Sequence, residues 1–214
     1  MQNSLRQYYL QQMGIETWIL RQPNSGSQAL CSLAVEVKSC TQCVLHKTRT
    51  QTVFARGNPK AKLMIIGEAP GFHEDKQGLP FVGKAGNLLN KMLHSIGLSD
   101  EDVYIANVIK CRPPDNRDPK TEEIKKCSAY LTRQIALVNP QLILAVGRFA
   151  GQFLLNELLP LNKMRNKVHH YQDKPVLVSY HPAYLLRNPQ DKKKAYADLL
   201  QVKRLIASWL NTSA

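Results

Sequence analysis

Acidic residues are scarce in this chain. Its 214 residues hold 16 Asp and Glu against 29 Lys and Arg, a formal net charge of +13. That imbalance argues against a cationic ligand and for an anionic one, most simply nucleic acid. Long apolar runs are also missing. No stretch approaches the roughly 18 consecutive apolar residues that mark a membrane span, so no membrane partner is expected. The opening residues, MQNSLRQYYLQQMGIETWIL, contain no apolar leader core and no cleavage site, and a cytoplasmic protein is expected. Cysteines number only five, which in such a protein is not a disulfide framework. Internal repeats are absent. The glycine-rich segment GEAPGFHEDKQGLPFVGKAG, from residue 67, has neither the GK[ST] of a phosphate-binding P-loop nor a GxGxxG fingerprint.

What remains is an ordinary folded composition, 43% apolar and 21% charged, at a length that suits one domain with appendages. Residues 1–30 read as an N-terminal helix (2–13) followed by a flexible linker, RQPNSGSQA at 21–29. Residues 31–214 read as one α/β unit. KLMIIG (62–67), VYIANVI (103–109), QLILAVG (141–147) and PVLVSYH (175–181) are short continuous apolar runs and predict strands. Between and after them, 84–98, 118–138, 148–158 and 191–210 carry apolar residues at helical spacing. Alternating helices and strands, with strands apolar throughout, imply a parallel sheet buried on both faces.

In an open sheet of this kind the ligand site lies beyond the carboxyl ends of the strands. Three predicted strands end in chemically notable residues: Gly67-Glu68, Asn107, and His181-Pro182. One crevice would collect Glu68, Asn107 and His181. In the glycine-rich segment, Gly67 and Gly71 permit close approach of backbone to a ligand, and Phe81 offers a ring that could stack on a flat ligand or simply fill the core. In HPAYLLRNP (181–189), Tyr184, Leu185, Leu186 and Arg187 form an apolar and basic tip, expected on a loop, with the composition of side chains that wedge into a base stack. Cys40 and Cys43 form a CxxC, whereas Cys111 and Cys127 are separated by 15 residues. Four thiolates suit zinc or an iron–sulfur cluster, and the split second pair favours the cluster. Cys31 stands apart as a spare thiol.

Taken together, these residues resemble the family 4 uracil-DNA glycosylases, bacterial and archaeal members of the uracil-DNA glycosylase superfamily. The likeness runs from about Cys40 to Leu205 and rests on three motifs in order, GEAPGFHEDKQGLPFVGKAG, YIANVIKCRPP and HPAYLLR, together with the four cysteines. It implies a three-layer α/β/α sandwich around a central four-stranded parallel sheet. It implies hydrolysis of the N-glycosidic bond of uracil in single- or double-stranded DNA, leaving an abasic site and free uracil. Cys40, Cys43, Cys111 and Cys127 match the ligands of a [4Fe–4S] cluster of structural role, which would hold Lys110 and Arg112 near the DNA face. Phe81 would stack on the flipped base and Asn107 would bond its O4 and N3–H. His181 would donate to O2, while Leu185 or Leu186 fills the gap in the duplex and Arg187 meets phosphate or minor groove.

Departures from the wider superfamily are informative. Ala69 stands where many relatives have an Asp that positions water, which leaves Glu68 as the candidate. Gly71 stands where relatives use a Tyr to exclude the methyl group of thymine, and Glu74 would close that wall. RPPDNRDPK (112–120) has no His and no inserted loop, so turnover rather than covalent trapping is expected. A monomer is expected. Two other readings stay open on the residues alone: a glycosylase of this fold with another base preference, and a metal-stapled nucleic-acid-binding module without catalysis.

Overall fold

The computed structural model describes residues 12–14 and 25–211. The expected helix over 2–13 therefore lies almost entirely outside the described residues. A first helix, α1 (Ser25–Lys38), occupies 25–29, which the composition assigned to a linker. Leu30, Leu33 and Val37 recur at helical spacing and are buried, so tertiary packing outweighs the Ser and Gly content of its start.

Among the described residues the sheet has six strands, not four. β2 (Leu63–Gly67), β3 (Val103–Asn107), β4 (Leu142–Val146) and β6 (Lys174–Ser179) are the expected parallel strands. Two short strands, β1 (Arg56–Gly57) and β5 (His169–Tyr171), pair antiparallel on β3 and β6, giving the order β1-β3-β2-β4-β6-β5. Strands of two or three residues are too short to show periodicity, which is why they escaped the sequence pattern.

Successive side chains of a strand face opposite ways, and the core divides accordingly. Met64, Ile66, Tyr104, Ala106, Ile143, Ala145, Val176 and Val178 pack on one face with α1, α4 (Thr121–Val138) and α5 (Arg148–Leu155). Leu63, Ile65, Val103, Ile105, Leu142, Leu144 and Leu177 pack on the other with α3 (Lys84–His94), α7 (Pro182–Arg187) and α8 (Lys192–Asn211). The architecture is thus a three-layer α/β/α sandwich. The short helices α2 (Phe72–Gln77) and α6 (Leu161–Met164) follow β2 and precede β5. Among the described residues no helix is long and apolar enough to cross a membrane.

The order in which strands are added reverses about β2, whose parallel neighbours are β3 on one side and β4 on the other. Such a switch opens a crevice at the carboxyl ends of the strands. Helix α7 occupies the segment expected to be a loop. Pro182 starts it with a pre-set backbone angle, and the His181 ring caps it, with Nδ1 accepting from the Ala183 N–H at 3.1 Å.

Candidate active site and cysteine cage

A cleft of about 440 Å³ opens beyond the strand ends. It is lined by Glu68, Ala69, Gly71, Glu74, Phe81, Asn107, His181, Tyr184 and Arg187, with Asp118 and Arg117 at one side. Three strand ends and the glycine-rich loop therefore meet, as their placement implied. Its wall is tight. A Cβ on Gly67 would stand 2.4 Å from Asn107 Oδ1 and 2.6 Å from the tip of the Phe81 ring. Only glycine lets that wall form.

Asn107 is buried, yet its side-chain amide makes no hydrogen bond to the described protein, so both its donor and its acceptor are free for a ligand. Phe81 holds a left-handed backbone, φ 56°, a conformation uncommon for a bulky residue and frequent at functional sites. Two contacts keep it there. Glu74 Oε1 accepts from the N–H groups of Val82 and Gly83 at 3.0 and 3.1 Å, and Gly86 lies directly against the Phe81 carbonyl, where a Cβ would be 1.7 Å away. Glu74 also backs the Gly71 wall, since a Cβ on Gly71 would meet Glu74 Oε2 at 2.8 Å.

The Phe81 and His181 rings lie 5.7 Å apart, tilted by 32°. Because Nδ1 of His181 accepts a hydrogen bond, the neutral ring carries its proton on Nε2. Burial pulls its pKa down to about 4, with Arg187 adding to the effect and Glu74 opposing it. The ring is thus a neutral donor at physiological pH. Glu68 is pushed the other way. Burial, then the nearby Asp118 carboxylate, raise it to about 7, while Arg148 draws it back. Asp118 and Arg148 face each other at 3.7 Å on the surface. Neither stood out in sequence, although Arg148 follows the end of β4, the one strand end left unused.

Several placements differ from expectation. Leu185 is 1% exposed and packs between α3 and α8, whereas Leu186 is 43% exposed. Of the two leucines expected to wedge into a base stack, only Leu186 reaches solvent, because helix α7 turns the neighbouring Leu185 inward. The Tyr184 hydroxyl donates to Asp191 at 2.8 Å, and its ring stacks on Tyr180. Arg187 is exposed and makes no ion pair among the described residues. Lys110, expected near a DNA-facing surface, is instead fully buried. Phe72, unnoticed in sequence, is 44% exposed beside the cleft, with Lys76 and Arg112 4.6 and 5.2 Å from its ring centre.

On the α1/α4 face, Cys40, Cys43, Cys111 and Cys127 line one small cavity with Arg49, Lys110 and Tyr130. Arg49 Nη1 donates to Cys111 Sγ at 2.9 Å and the Lys110 N–H to Cys127 Sγ at 3.3 Å. Burial pushes the Cys111 and Cys127 thiols up, Cys127 to about 11, while Arg49 and Lys110 pull them back. A bound cation reverses that preference. Among the described residues no group of three or more His, Cys, Asp or Glu is arranged to hold a metal ion. Cys31 is exposed and apart.

Residues 54–201 match the model of the uracil DNA glycosylase superfamily. The type-4 uracil-DNA glycosylase of Archaeoglobus fulgidus is 45% identical over 186 residues, covering 83% of this chain and 94% of that protein. The chain belongs to the type-4 uracil-DNA glycosylases. The member from Thermotoga maritima is 46% identical over 154 residues, 71% of this chain and 80% of that protein. That from Saccharolobus solfataricus is 44% identical over 185 residues, 82% and 86% of the two chains. The superfamily match contains every cleft residue from Glu68 to Arg187 together with Cys111 and Cys127, while Cys40 and Cys43 precede it. As a type-4 uracil-DNA glycosylase, this chain places its glycine-rich segment, Asn107 and His181 on a single cleft.

Proposed function

We propose that this protein is a DNA-repair hydrolase that flips uracil out of DNA and cleaves its N-glycosidic bond, leaving an abasic site and releasing free uracil. One observation carries the reading. The Ala183 N–H holds His181 Nδ1 as acceptor, so a neutral imidazole presents Nε2–H to the cleft that Asn107 and Phe81 also line.

The extruded base leaves its stack at a cost of a few kcal/mol. Leu186 enters the vacated space and Arg187 meets the backbone. The uracil ring lies along Phe81. The Asn107 amide donates to O4 and accepts from N3–H, a pattern that cytosine reverses, and leaving such a site unmatched discriminates strongly. As the C1′–N1 bond breaks, its electron pair moves into the uracil ring and towards O2, where the His181 Nε2–H meets the growing charge. Stabilising charge as it develops is usually the largest catalytic contribution. Water adds to C1′ and gives its proton to the Glu68 carboxylate, which burial raises to about 7, and the departing uracil anion takes up a proton on release. Gly71 and Glu74 form the wall next to the base, and turnover rather than covalent trapping of the sugar is expected.

The split spacing of the four cysteines favours a [4Fe–4S] cluster over zinc. Such a cluster is tuned by N–H groups on its sulfurs, and Arg49 and the Lys110 N–H already reach Cys111 and Cys127. Bound there, it would supply a rigid cross-link between the segment before β1 and helix α4. The purified protein should absorb broadly near ~400 nm, and Cys111→Ser should bleach it.

The deciding experiment incubates the protein with oligonucleotides carrying one uracil, thymine or hypoxanthine, followed by alkali. Cleavage at uracil alone, lost in His181→Ala, supports the reading. Cleavage at hypoxanthine or thymine instead would reassign the base. DNA retardation without an abasic product would leave a binding module. Asn107→Asp should admit cytosine, and unchanged selectivity would remove Asn107 from base reading.

A further inference from the structure

Lys110 is among the largest fully buried side chains, 1% exposed. It lies three residues after Asn107 and immediately before Cys111. Its Nζ donates to the Asn107 carbonyl oxygen at 2.7 Å and to Gln134 Oε1. Both acceptors are neutral. A buried ammonium is costly even when hydrogen-bonded, and an apolar side chain of similar size would serve packing better. Its backbone is also committed, since the Lys110 N–H donates to Cys127 Sγ and its carbonyl accepts from Val53 at 2.8 Å. Gln134 sits on α4 two turns beyond Cys127 and is itself fixed, donating to the Tyr104 hydroxyl at 3.1 Å and to the Phe54 carbonyl at 3.2 Å. A continuous chain of hydrogen bonds thus runs from helix α4 through Lys110 to the peptide of Asn107.

We propose that Lys110 is a positioning residue for base reading, tying the Asn107 peptide, and with it the aim of the Asn107 amide, to the helix that carries Cys127. The other side of Asn107 is confined by the Gly67 backbone, so a slack peptide leaves the amide free to swing only within the cleft. Filling or emptying the cysteine cage then changes uracil selectivity as well as stability. This rests on the uracil reading given above.

The test is Lys110→Met, of similar length and uncharged, assayed beside the wild type on uracil and cytosine oligonucleotides. The variant should keep its ~400 nm absorbance and lose about 10- to 100-fold in kcat/KM on uracil, the scale of one hydrogen bond from a charged donor. Its preference for uracil over cytosine should fall with it. Binding of free uracil, followed by calorimetry, should weaken to the same degree in Lys110→Met and in wild type stripped of its cluster. A variant that melts lower but keeps the wild-type rate and base preference would reduce Lys110 to packing and overturn the proposal. Equal uracil binding with and without the cluster would overturn the coupling. Should Lys110→Met fail to fold, Gln134→Met breaks the same chain one link away and carries the same expectations. A wild type inactive on uracil would instead refute the functional reading, and this inference would fall with it.

Discussion

Replacing Glu68 by Gln should slow the enzyme and stabilise it at alkaline pH. The carboxyl is raised from 4.5 to about 7, first by burial and then by Asp118. That displacement corresponds to about 3 kcal/mol in favour of the neutral form inside the fold. Part of the side chain still meets solvent, which screens some of it, so about 1–2 kcal/mol is expected. The sign follows from linkage. Below pH 4.5 both folded and unfolded chains are protonated and the group costs nothing. As pH rises, the unfolded chain ionises first and is favoured, and the cost is complete once pH passes about 7. Glutamine carries no such cost. Urea unfolding at about pH 5.5 and about pH 8 should show Glu68→Gln gaining on the wild type as pH rises. The wild-type rate should climb through about pH 7 as the base form appears, and the variant should be slow and flat. Asp118→Asn should move the wild-type midpoint to lower pH and Arg148→Gln to higher pH, because these groups act on Glu68 with opposite sign. A stability difference that does not change with pH, or a pH–rate profile that survives in Glu68→Gln, would refute the assignment.

His181→Ala should lower single-turnover rates by about 10²–10³, the usual cost of one charge-stabilising donor, and the wild type should show no imidazole limb near pH 6.5, because burial holds the ring at about 4. Gly67→Ala should fold yet lose free-uracil binding, since the added methyl meets Asn107 and Phe81; calorimetry would detect retained binding. Leu185→Ala should lose about 2–5 kcal/mol of stability, as core truncations do, whereas Leu186→Ala should melt normally and engage duplex DNA more weakly. Melts and fluorescence-detected base flipping separate the two, and identical behaviour would undo the division of roles.

Much of the site was legible because its residues sit at the ends of apolar runs. Glu68, Asn107 and His181 each end or follow a strand whose burial on both faces is written in its composition, and a parallel sheet brings such ends together. What escaped depends on partners distant in sequence. The buried position of Lys110 is set by Gln134, 24 residues away, and a Lys two residues before an Arg reads locally as surface. Leu185 and Leu186 looked equivalent until a six-residue helix, started by the His181 cap, sent one inward. The left-handed Phe81 depends on Gly86 and Glu74, and no single residue type announces it. The short strands β1 and β5 likewise exist only through pairing with their longer neighbours.

Those two strands have a consequence for how the protein behaves in a crowded solution. A parallel sheet ending in a long strand would offer a row of unpaired N–H and C=O groups to any passing chain. Here the margins are reduced to two residues at Arg56–Gly57 and three at His169–Tyr171. Arg56 is anchored further by bonds to the Pro80 carbonyl at 2.9 Å and to Asn90 at 2.6 Å. Margins this short offer an added strand little to pair with, so the basic molecule is less prone to stick edge to edge when its copies gather at high local density along an anionic polymer.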